Sequence, residues 1–76
     1  MKVMIYDWEE DASQRNAISA IRIATALNVA GARRAVEKCI EGHWAVVECI
    51  DNQSALDMID QLDEAGFMAK RIPEGD

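Results

Sequence analysis

The chain has 76 residues, half of them hydrophobic, which is enough for one domain with one modest core and too little for a deep catalytic pocket inside it. Eight Lys and Arg stand against 14 Asp and Glu, a formal net charge of −6. Such a chain is poorly suited to neutralising phosphates, so neither nucleic acid nor an anionic membrane surface is an expected partner.

The N-terminal segment Lys2–Trp8 alternates, with Val3 and Ile5 on one face and Met4, Tyr6 and Trp8 on the other, which predicts a strand. It turns acidic where a signal peptide would need a long apolar run, so none is expected, and no stretch reaches membrane-spanning length. A cytoplasmic setting is therefore expected. After the acidic turn Glu9-Glu10-Asp11, residues 12–26 turn helical, with Ile18 and Ile21 three apart and Ala17, Ala20 and Ala24 at similar spacing. Asn28 tolerates the left-handed conformation that ends many helices, so it reads as a stop and turn. A second helix is predicted over 30–40, with Ala32, Ala35, Val36 and Cys39 on one face and Gly42 closing it.

The mostly apolar run 44–50 reads as a well-buried second strand. Asp51 then stands where a helix N-cap belongs. Ala55, Met58, Ile59 and Leu62 form the apolar stripe of a third helix, and its polar face carries Asp57, Asp60, Asp63 and Glu64. Gly66 stands at the C-terminal stop, Phe67–Ile72 reads as a third strand, and residues 73–76 as a short tail. The order is β-α-α-β-α-β. A helical hairpin reverses the chain before strand two, and a single helix keeps strand three parallel to strand two. An antiparallel sheet then requires strand one in the centre. The expected fold is α+β in two layers, a three-stranded sheet of order 2-1-3 with three helices on one face, all within one domain, 1–76.

The run Ala17-Ile-Ser-Ala-Ile-Arg-Ile-Ala-Thr-Ala-Leu-Asn-Val-Ala-Gly-Ala-Arg-Arg-Ala-Val-Glu37 resembles the first two helices of the C-terminal domain of the bacterial ribosomal stalk protein, which reads roughly Ile-Lys-x-Val-Arg-x-x-Thr-Gly-Leu-Gly-Leu-x-x-Ala-Lys-x-x-Val-Glu. Leu62-Asp-Glu-Ala-Gly-Phe67 is similar to that domain's final helix and turn. The resemblance spans nearly the whole chain, and it implies the fold just described, which the adaptor of proteases that recognises N-terminal residues shares. It departs at the turn, where Ala26 and Asn28 replace two glycines, and in the first helix, where Ser19 replaces a lysine. With neither the family's dimerisation segment nor its hinge in view, the chain reads as a free-standing relative of the kind a phage or mobile element encodes.

Charge is the strongest clue to function. Residues 12–40 carry Arg15, Arg22, Arg33, Arg34 and Lys38 against Glu37 alone, a local charge of +4 that leaves −10 for the rest. Such segregation steers and orients an acidic partner. The resemblance implies that the hairpin grips acidic helices, with Ile18, Arg22 and Arg33 at the matching positions. The expected function is a protein-binding module whose basic hairpin, Arg15 and Arg34 included, meets an acidic helix or patch on a partner protein. A modulator or decoy of host translation or transcription machinery would behave in this way. The alternative is a structural or self-assembling protein that uses an exposed sheet face; Trp8 and Trp44 at the strand ends read first as lids on the core, and their exposure would favour this alternative. No enzyme is expected, since the chain has no phosphate-binding loop and no nucleophile–base pair. No cofactor or metal is expected either. His43 stands alone, and Asp57, Asp60 and Glu64 read as a solvated helix face. Cys39 and Cys49 are expected to be buried, reduced thiols.

Overall fold

A computed structural model describes residues 1–73. The elements are β1 (Lys2–Trp8), α1 (Gln14–Ala24), α2 (Val29–Ile40), β2 (Ala45–Glu48), α3 (Asn52–Ala65) and β3 (Phe67–Ile72). The sheet has the order β2-β1-β3, with β1 antiparallel to both neighbours. The expected architecture is therefore the observed one. Beyond Pro73, the expected tail lies outside the described residues. No helix among the described residues is long and apolar enough to cross a membrane.

One face of the sheet is covered. Val3 and Ile5 are fully buried at its centre, beneath Ala32, Val36 and Cys39 of α2 and Ala55, Met58 and Leu62 of α3. α2 lies over β1 and β2, α3 lies over β1 and β3, and α1 packs against both helices. Of α1, only Ala17, Ala20, Ile21 and Ala24 are buried, a narrow stripe of mostly small side chains that leaves the rest of the helix to solvent. Exposed Arg15 and Arg22 follow from that geometry.

Each helix is stopped by a specific device. Ser13 Oγ accepts the Asn16 N–H at 3.2 Å and caps α1. At the other end, Thr25 hydroxyl donates to the Ile21 carbonyl at 2.7 Å and accepts the Leu27 N–H at 3.1 Å, turning the chain out of the helix. The Ile50 N–H, bonded to the Ala24 carbonyl at 3.0 Å, fastens this end of α1 beside the β2–α3 connection. At the head of α3, Asp51 accepts the Ser54 N–H at 2.7 Å, and that bond holds its carboxyl below the ordinary range. Because the folded value is lowered, the capping contribution is present at neutral pH and fades as pH falls through the folded value.

Three expectations are corrected. α1 is shorter than 12–26, because Ser13 and Thr25 cap it. Asn28 begins a helix and does not end one: its backbone is extended, at φ −84° and ψ −177°, and its side chain accepts the Gly31 N–H at 2.8 Å. Asn serves both roles, and here the free N–H groups at the start of α2 decide between them. Asn28→Ala is therefore expected to cost about 1 kcal/mol, and Asn28→Ser close to nothing. A left-handed stop would give a different order in thermal melts, with Asn28→Gly the most stable of the three.

The third correction concerns the tryptophans and the second strand. Between Ile5 and Asp7 the β1–β3 register shifts by one, so Tyr6 is an extra residue in β1. Beyond the bulge Trp8 pairs with buried Phe67 and packs against the core, on the face opposite to the one its alternation with Met4 and Tyr6 predicts. Strand two is buried on one side only. Ala45, Val47 and Cys49 point inward, while Trp44, Val46 and Ile50 are more than half exposed, at 65%, 51% and 66%.

Cys39 and Cys49 are free and buried. Burial pushes both thiols up, with the charge of Asp7 adding to the effect at Cys39. A maleimide or disulfide reagent should therefore label the protein only as fast as it opens, and fully on adding denaturant. Rapid labelling of the folded protein would contradict this placement.

Candidate functional site

The site is built by the antiparallel pair α1 and α2. On α1, Gln14, Arg15, Ile18, Ser19 and Arg22 follow the three- and four-residue spacing of one helix face. On α2, Val29 and Arg33 stand one turn apart, at the end that the short turn 25–28 brings beside α1. These seven side chains line one open depression of about 440 Å³. Its floor is apolar, formed by Ile18, which is half-buried against the core, and Val29, which is 41% exposed. Arg15, Arg22 and Arg33 are all exposed around it.

Among the described residues none of the three guanidinium groups has a carboxylate partner. The one ion pair among these residues joins the Met1 ammonium to Glu48, neither of which lines the depression. The only acidic residue of the hairpin, Glu37, lies one turn beyond Arg33 on α2 and is not part of the depression. Three unopposed cations around an apolar floor form a surface that attracts carboxylates by long-range charge and can hold an aliphatic or aromatic side chain by burial.

The structure thus brings together Arg15, Ile18, Arg22 and Arg33 of the expected site. It separates Arg34, which faces the other side of α2. There Arg34 and Lys38, with Leu27, Gly31 and Ala35, border the outer edge of β2 at Ala45, Val46 and Val47. Arg34 is turned about 100° from Arg33 around the helix axis, and that turn carries it away from the depression towards β2. Sequence reasoning missed Val29 by assigning it to the turn. Its spacing of four from Arg33 is the signal that would have found it.

A larger depression, about 560 Å³, lies by Met1, Arg71, Ile72 and Pro73. It has one basic side chain where the hairpin has three. On α3, Asp57 accepts a hydrogen bond from Gln53 at 3.0 Å, and Asp57, Asp60 and Glu64 are exposed. Among the described residues, no group of three His, Cys, Asp or Glu side chains could hold a metal ion. Comparison of the chain with protein-family models, with curated proteins and with solved structures gives no match.

Proposed function

We propose that this protein is a binding module whose α1–α2 hairpin grips an acidic amphipathic helix of a partner protein. One observation carries the reading: Arg15, Arg22 and Arg33 surround Ile18 and Val29 in a single depression, with no ion-pair partner among the described residues. A helix laid across it would place an apolar side chain on Ile18 and Val29, and carboxylates one turn away on either side would meet the guanidinium groups. The local charge of +4 on a chain of −6 orients such a partner before contact. The resemblance to the stalk-protein domain makes a factor of the translation or transcription machinery the first class of partner to try.

Site-directed photo-crosslinking tests the assignment. Ser19 is exposed within the depression and Asp57 is exposed on α3. A photo-reactive amino acid at Ser19 should capture a discrete protein in the native cell, and the same group at Asp57 should not. Equal capture from both positions, or capture from Asp57 alone, would move the site off the hairpin.

A further inference from the structure

We propose that the uncovered face of the sheet is the interface of a two-fold homodimer. The helices cover only one face. On the other stand Met4 and Tyr6 of β1, Val46 of β2 with Trp44 just before it, and Met68 and Lys70 of β3. Trp44 is 65% exposed, Val46 51%, Tyr6 40% and Met68 37%. Lys70 lies over the Tyr6 ring, 5.5 Å from its centre.

Area supports an interface of this kind. Taking about 150–250 Å² for a whole aromatic side chain, those four residues present on the order of 400 Å² of largely apolar surface. A standard interface takes roughly 800 Å² from each partner, so four side chains supply about half of it. Met4, Ile72 and the aliphatic stems of Lys2 and Lys70 lie around them.

Charge selects a second copy as the occupant. A molecule of net charge −6 repels its own kind, and the basic hairpin would repel another basic hairpin. The open sheet face is different: it carries Lys2 and Lys70 together with Glu48 and with Asp7, which pairs with Met68, so charges of both signs stand among its apolar side chains. A self-matching contact needs that mixture, since each patch meets itself. A two-fold axis parallel to the strands sets β2 of one copy over β3 of the other. Trp44 then covers Met68 of the partner subunit, and Glu48 comes near Lys70 of the partner subunit. In this arrangement the two helical layers face outward, so both hairpins stay open and a dimer offers two binding sites at once.

Sedimentation equilibrium tests the proposal. The wild-type protein should shift with rising concentration from its 8.5 kDa chain mass towards twice that value. Trp44→Glu and Val46→Lys change exposed side chains and leave the core intact, so both should keep the far-ultraviolet spectrum and thermal transition of a folded protein. Each should weaken self-association at least roughly tenfold. Arg22→Glu with Arg33→Glu should not weaken it, which separates this interface from the hairpin. Two results would overturn the proposal: a wild-type monomer up to millimolar concentration, or a dimer that folded Trp44→Glu and Val46→Lys leave intact.

Discussion

Replacing Gly66 with alanine is expected to destabilise the protein by about 2–5 kcal/mol, enough to unfold much of it at room temperature. Gly66 ends α3 at φ +97°, a conformation that places a Cβ against the following carbonyl and costs roughly 1–2 kcal/mol in other residues. Space makes this worse. An added Cβ would stand 2.8 Å from both Cα and Cβ of Ala12. Ala12 is held in place, because its N–H bonds to the Glu9 carbonyl at 3.0 Å, while the Glu9 N–H bonds to the Gly66 carbonyl at 2.8 Å and the Ser13 N–H to the Ala65 carbonyl at 2.7 Å. The backbone must therefore shift, at an overpacking cost of about 1–3 kcal/mol. Gly42 is the control. It has nearly the same φ, +94°, but nothing lies within 4 Å of an added Cβ. Gly42→Ala should thus cost only the conformational part, about 1–2 kcal/mol. Urea titrations of the two variants would separate the contributions, and equal losses would show that contact with Ala12 adds nothing.

Reversing Arg22 and Arg33 together to glutamate is expected to weaken partner binding roughly 10- to 100-fold, or about 1.4–2.8 kcal/mol, without loss of folding. Both side chains are exposed and make no ion pair with any described residue, so their reversal leaves no buried charge unmatched. The loss should fall mainly on association. Exposed charges act during encounter, across a screening length of about 10 Å at 0.1 M salt and 3 Å at 1 M. Wild-type association should therefore slow as salt rises, and the double variant should lose most of that dependence. Arg34→Glu should have a smaller effect, because Arg34 lies beside β2 and outside the depression. Unchanged affinity and salt dependence in a folded Arg22→Glu, Arg33→Glu protein would remove the hairpin from consideration.

Periodicity made the framework legible in the sequence. Val3 and Ile5, Ala17 to Ala24, and Ala55 to Leu62 repeat at the spacings of a strand and of helices, and connection lengths then fix β1 as the central strand. Local exceptions were not legible. One extra residue at Tyr6 moves Trp8 to the other face, and a period of two has no term for it. In the run 44–50 only Glu48 marks the outward side, and the bulk of Trp44, Val46 and Ile50 on that same side hides the alternation. At the site, the cluster of basic residues could be read directly. Which of them converge depends on the helix rotation between Arg33 and Arg34 and on the cap that makes Val29 the first residue of α2.

The most direct measurement is an amide chemical-shift map of the isotope-labelled protein, titrated with the partner recovered by crosslinking. Binding at the hairpin predicts that the largest perturbations fall on residues 14–22 and 29–33, and that β3 and the second half of α3 stay still. Perturbations centred on β1, β2 and β3, with α1 unmoved, would contradict it.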